Sequence, residues 1–295
     1  MGQRGKSTQG IHGRRDTSYR SANYPIYNSV TFGVERSAEY ARWGHDREFS
    51  IYTRYGNPTI RNVEEKLARL EQAKDGVLFA SGMAAVTTTV MALVSSGDAV
   101  AASSRLYGVA YRFLRDVAPR FGIDVHFLDA DELYDLEQYA PTAKLVYFET
   151  PINPTSDCLD IGSVVAAAKR IGALTVIDNT FASPINQNPL PLGVDLVLHS
   201  ATKYLGGHSD LMAGAVLGPQ NLISGVHQAM VVFGGCSNPT EAALLDRSLR
   251  TLAVRMEVHN RAALALAHFF EAEKKVRRVH YPGLPSSLVH EIARR

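Results

Sequence analysis

Cysteine is nearly absent from this chain: of 295 residues only Cys158 and Cys236 carry a thiol, and they stand far apart with no CxxC around either. That excludes a disulfide framework and a cysteine-built zinc site, and it fits a reducing compartment, the cytoplasm. An excess of charge of one sign is lacking too. The 31 basic and 29 acidic side chains leave +2, mostly interleaved, so there is no electrostatic case for nucleic acid. No apolar run approaches the roughly 18 residues of a membrane helix, and a soluble protein is expected. Neither GxGxxG nor GxxxxGKS/T occurs, so dinucleotide and P-loop sites lose their main support. What is present is the composition of a folding chain, 45% hydrophobic and 20% charged. The length allows one large α/β domain with an appendage, or two modest domains.

The first twenty residues break the charge pattern, with Arg4, Lys6, Arg14, Arg15 and Arg20 against Asp16 alone. No long apolar segment follows, so a mobile basic arm is expected rather than a secretory signal. Residues 1–50 read as an extended arm that gains order by lying on something else. From Tyr52 the character changes. Glu64 to Leu70 has helical spacing, and short apolar runs then alternate with helical stretches: Val77–Ala80, Ala99–Ala102, Val125–Leu128, Leu145–Phe148, Leu174–Ile177, Leu196–Leu198 and Ala213–Leu217. Runs that apolar are buried on both faces, and helices between them supply the crossovers of parallel pairing. The pattern predicts a layered α/β sheet. Asn238, Pro239 and Glu241 make an N-cap, a first-position proline and a capping-box acid, opening a helix that runs to about Lys275 or hides a break; Tyr281-Pro282-Gly283 stops it.

Ligands of such sheets collect where strands end. Ser81-Gly82-Met83 follows one run and opens a helical stretch, where backbone N–H groups hold an anion or Ser81 serves as a plain N-cap. Asp178 ends another run; a buried acid needs a cation or donors, or caps the next helix. Lys203, in His199-Ser-Ala-Thr-Lys-Tyr-Leu-Gly-Gly-His208, stands among hydroxyls and small residues, a candidate for a lysine of lowered pKa able to form an imine, against the alternative of a surface loop lysine. In Glu149-Thr-Pro-Ile-Asn-Pro-Thr155 two prolines fix Asn153. Ser200 to Lys203 also satisfies the S-x-x-K pattern of penicillin-recognising serine enzymes, but neither S-D-N nor K-T-G accompanies it.

Taken in order, PIYNSVTF (25–32), YTRYGNPT (52–59), SGM (81–83), LYG (106–108), ETPINPT (149–155), DNTF (178–181), HSATKYLGGHSD (199–210) and RSLRTL (247–252) resemble the Cys/Met-metabolism family of pyridoxal-phosphate enzymes, the cystathionine γ-synthase-like group of fold-type I. The resemblance implies an α/β fold with a mainly parallel seven-stranded sheet sandwiched by helices. It also implies an arm over residues 1–50 that contacts a partner subunit, a pyridoxal-phosphate domain over 51–237, and a long helix opening a truncated C-terminal domain over 238–295. Pyridoxal 5'-phosphate would be held on Lys203, which would also carry protons, while Asp178 would pair with the pyridine nitrogen. Tyr107 would stack on the ring and help with proton transfer or leaving-group departure. Ser81, Gly82, Met83, Ser200 and Thr202 would form the phosphate cradle, Asn153 would lie by the phenolic oxygen, and Tyr52 and Arg54 would reach a neighbouring subunit's phosphate. A homo-oligomer, a dimer of dimers, follows.

The reaction implied is transsulfuration on a small amino-acid substrate: γ-replacement on an activated homoserine, by a cystathionine γ-synthase or homoserine-ester sulfhydrylase. The γ-lyases, which release a 2-oxo acid, are the alternative. Val109 stands where methionine γ-lyases usually carry cysteine, and Gln187-Asn-Pro-Leu190 with Leu196-Val-Leu-His199 is similar to the γ-synthases. Family members continue past Tyr281-Pro-Gly-Leu-Pro285 into a domain supplying the arginine that grips the substrate carboxylate, whereas this sequence stops at Arg295. A truncated, catalytically weak cofactor-binding homologue is therefore a second expectation.

Overall fold

The seven apolar runs become seven strands: β1 (Asp75–Phe79), β2 (Ala99–Ser103), β3 (Asp124–Leu128), β4 (Ala143–Glu149), β5 (Leu174–Asp178), β6 (Leu196–His199) and β7 (Gly214–Gly218). The structure is a computed structural model that describes residues 5–42 and 51–294. The strands form one sheet in the order β1-β7-β6-β5-β4-β2-β3. β2 pairs in parallel with β3 and β4, and β4 with β5, but β1 and β7 run antiparallel, from Asp75 opposite Gly218 to Phe79 opposite Gly214. The sheet is mixed. A strand buried on both faces has the same composition whichever way its neighbour runs, so this antiparallel edge leaves no mark in the apolar pattern.

The chain divides into two compact units, residues 1–92 with 198–252, and residues 93–197 with 253–295. In the first, α2 (Pro58–Glu71) starts earlier than its apolar spacing suggests, because the Asn57 side chain accepts the Thr59 N–H at 2.9 Å and Pro58 occupies the first turn. Ile60, Val63, Leu67 and Leu70 are buried along one face. On the same helix Lys66, 1% exposed, meets Asp246 at 2.5 Å; burial, opposed by that carboxylate, pulls the ammonium below the usual lysine range.

The basic arm is partly anchored rather than free. α1 (Lys6–Ile11) lies against α2: the Lys6 ammonium donates to the Leu70 carbonyl, and Arg14 makes a two-pronged contact with Glu65 at 2.5 and 3.1 Å. Arg4 and residues 43–50 of the arm fall outside the described residues.

The second unit holds β2 to β5 with α3's last residue, α4 (Gly108–Arg112) and α5 (Ile161–Ile171), the last capped by Asp160 and closed by Gly172 at φ 72°. α3 itself spans Gly82–Leu93. α6 (Gln220–Phe233) precedes the long C-terminal pattern, which does hide a break: α7 (Pro239–Leu249) and α8 (Leu252–Ala272) are separate helices. Asn238 caps α7 by accepting the Glu241 N–H at 2.9 Å, but the predicted box stays open, since Glu241 accepts the Met212 N–H at 3.3 Å. α8 ends before Tyr281-Pro282-Gly283, where Glu273-Lys274-Lys275 offers no apolar side chain to hold another turn. Among the described residues, no helix is long and apolar enough to cross a membrane, and no group of three His, Cys, Asp or Glu could hold a metal.

Candidate functional site

The predicted site residues fall in both units, and each unit carries a chemically distinct set. In the first, β1 ends at Phe79 and the chain turns through Ser81 into α3. Ser81 is an N-cap in fact: its hydroxyl accepts the Ala84 N–H at 3.0 Å. The Gly82 and Met83 N–H groups, in the first turn, have no acceptor within their own helix. Ser200 presses against this turn so closely that a Cβ on Gly82 would stand 2.8 Å from the Ser200 Cβ. β7 presses from another side, where a Cβ on Gly214 would come within 2.2 Å of the Ser81 carbonyl oxygen. Both positions exclude any larger residue. Gly214 was not singled out in the sequence, since a glycine inside an apolar run has many ordinary explanations.

Thr202 and Lys203 follow Ser200. The Thr202 hydroxyl accepts the Ala213 N–H at 3.0 Å and donates to its carbonyl at 3.2 Å, so its role toward any ligand is limited to a remaining lone pair. Lys203 leaves helical geometry inside the short turn Thr202–Gly206, at φ −80° and ψ −122°, and its side chain is exposed. Tyr52 and Arg54 lie further along this unit. Thr31 bridges to Tyr52, and the Arg54 guanidinium sits 5.4 Å from the Tyr52 ring and 5.3 Å from the Tyr55 ring, donating weakly to the Val231 carbonyl at 3.4 Å.

In the second unit β4 and β5 end together, with Glu149 opposite Asp178 in the register. Asp178 is 8% exposed and accepts the Thr180 N–H at 3.0 Å. Glu149 is 6% exposed and bridges two donors: Oε2 accepts the Tyr107 N–H at 2.8 Å and Oε1 the Asn153 N–H at 3.2 Å. Burial, and then the charge of Asp178, pushes Glu149 up to about 7. Tyr147, two residues back on β4, is 1% exposed, its hydroxyl has no partner among the described residues, and burial with the two acids raises its pKa well above normal. Tyr107 is 47% exposed as the residue before α4, and Asn153 is exposed as well.

Each set suits a different kind of ligand group. The first offers helix-end N–H groups and hydroxyls packed to a Cβ's width, which suit an anion. The second offers two buried acids and an unpartnered hydroxyl, which suit a protonated ring nitrogen. Glu149 had been quoted within its motif without a role; a strand-end acid inside Glu-Thr-Pro was the available signal.

Comparison with known proteins agrees. The family model described as Cys/Met metabolism PLP-dependent enzyme matches residues 7–295. Cystathionine gamma-synthase 1, chloroplastic, of Nicotiana tabacum is 40% identical over 274 residues, 92% of this chain and 51% of that protein. Cystathionine beta-lyase of Lactococcus lactis subsp. cremoris is 40% identical over 295 residues, 98% of this chain and 75% of that protein. The crystal structure of metB from Corynebacterium glutamicum superposes with a TM-score of 0.92 at 38% identity, covering 99% of this chain and 75% of that one. The chain thus spans about half the length of the plant relatives it matches.

Proposed function

Since the chain belongs to the Cys/Met metabolism PLP-dependent enzyme family, we propose that it performs γ-replacement on an activated homoserine, in the manner of a cystathionine γ-synthase or homoserine-ester sulfhydrylase. A synthase and a β-lyase match at the same 40% identity, so overall similarity does not choose the reaction. What favours replacement over γ-elimination is Val109, one residue into α4 from the exposed Tyr107, where the resemblance puts cysteine in methionine γ-lyases.

The observation that carries the cofactor reading is the close-packed turn of Ser81, Gly82 and Ser200. Bound pyridoxal phosphate would supply an electron sink for the carbon beside the substrate amine. Gly82 and Met83 N–H groups, with the Ser81 and Ser200 hydroxyls, would hold its phosphate; Thr202, counted in the cradle by the resemblance, would have to release its O–H from the Ala213 carbonyl to join them. Asp178 would keep the ring nitrogen protonated, Lys203 would hold the aldehyde carbon and carry a proton, Tyr107 would cover the ring, and Asn153 would lie by the phenolic oxygen. Tyr52 and Arg54 serve the phosphate of a neighbouring copy, Arg54 through paired guanidinium donors. On this reading residues 1–50 are an arm on a partner, 51–237 the cofactor domain and 238–295 the start of a further one, in a cytoplasmic dimer of dimers.

The test is steady-state assay with O-succinyl- and O-acetylhomoserine plus cysteine or sulfide. Thioether or thiol-bearing amino acid as product is expected; 2-oxo acid released with no thiol consumed would move the chain to the lyases. Bound cofactor without any turnover would favour a catalytically weak cofactor-binding homologue. Borohydride reduction followed by peptide mapping should leave the adduct on Lys203, and the Lys203→Ala variant should show none.

A further inference from the structure

Of the two acids at the ends of β4 and β5, Asp178 has a proposed task and Glu149 has none. Yet Glu149 is costly to keep, since burial and the charge of Asp178 both oppose its ionisation. It is buried, the charge of Asp178 opposite it on β5 bears on it, it acts in turn on Tyr147 of its own strand, and its two oxygens accept the backbone N–H groups of Tyr107 and Asn153. A strand end that needed only filling would be served by glutamine or leucine. The arrangement of donors supplies the reason. Tyr107 lies on the segment after β2 and Asn153 on the segment after β4; the two belong to different loops, and each gives its backbone N–H to a different oxygen of one carboxylate.

We propose that Glu149 is a positioning residue: its two carboxylate oxygens seat Tyr107 and Asn153 together, fixing both loops to the end of β4, beside Asp178 at the end of β5. The inference rests on the roles proposed above for Tyr107 and Asn153. Both oxygens are required, and both bonds are strongest when the group is ionised. A neutral carboxyl carries its proton on one oxygen and weakens the bond there. Glutamine keeps one accepting oxygen and presents an NH2 group to the other donor, so it can seat one loop but not both.

The experiment uses the full chain without added cofactor, labelled with 15N-tyrosine or 15N-asparagine, the Tyr107 and Asn153 amides being assigned by their loss in Tyr107→Phe and Asn153→Ser. In the wild type both amides should titrate together with one midpoint near pH 7. In Glu149→Gln neither should titrate, and one of the two should sit permanently at a solvent-exposed shift while other tyrosine and asparagine amides hold their places. Pyridoxal phosphate added afterwards should bind the variant about tenfold more weakly, the worth of one hydrogen bond to a charged group, and still be trapped on Lys203. Wild-type amides that ignore pH between 5 and 9, or that titrate alike in Glu149→Gln, overturn the proposal, and the wild-type arm needs no variant to fold. Failure of the wild-type chain to take up pyridoxal phosphate would sink the cofactor reading instead, with the amide titration still deciding the role of Glu149.

Discussion

Glu149 ties stability to pH in a direction opposite to most carboxylates. Its folded pKa, about 7, is raised from 4.5, so the native chain holds the proton more tightly than the unfolded one. Stability from this group is fully present below about pH 4.5 and is lost as pH rises through about 7, on the order of 3 kcal/mol in all. Urea unfolding at pH 5 and pH 8 should therefore show Glu149→Gln gaining on the wild type at the higher pH; equal gaps at both would refute the coupling. Gly82→Ala is expected to abolish pyridoxal phosphate uptake in a visible-absorbance titration, because the added methyl occupies the space of the Ser200 side chain. Much at this scale was legible beforehand. Lys203, Asp178 and the Ser81 turn stand at strand ends in the apolar pattern. Glu149's bridging was not, because a hydrogen bond between a loop and a strand end more than forty residues apart, 107 and 149, leaves no periodicity.

Among the elements, all seven strands could be read from apolar runs; six are largely buried as such runs require, but β3, at the sheet edge, is exposed at Asp124 and only half-buried from Val125 to Phe127, against the expectation of burial on both faces. The direction of β7 against β1 could not, because it is set by a neighbour distant in sequence; a break in the C-terminal pattern was one of two expectations, but its place at Arg250 and Thr251 carried no sequence mark. The tie between α2 and α7 is likewise hidden: Lys66 and Asp246, 180 residues apart in sequence, form an enclosed pair. Asp246→Ala strands a buried ammonium and also removes the carboxylate that pairs with the Arg250 guanidinium. The expected loss is about 3–5 kcal/mol in thermal or urea unfolding, whereas Glu137→Ala, at an exposed pair with Arg170, should cost less than about 1 kcal/mol.

For the molecule as a whole, the proposed sharing of Tyr52 and Arg54 between copies makes a complementation experiment decisive. Arg54→Ala and Lys203→Ala chains, each deficient alone, should on co-expression regain about a quarter of wild-type sites, since random pairing gives half mixed dimers with one intact site each. No regain would place Arg54 in its own chain's site. The pairing of β1 with β7 has a separate bearing on how the chain is made. Phe79 meets Gly214 only after about 135 further residues have left the ribosome, which at 5–20 residues per second takes on the order of 10 s. Throughout that interval the Val77-Leu78-Phe79 stretch, wholly buried at the end, lies bare on a nascent chain, and it is there that a chaperone shielding hydrophobic segments has its opening.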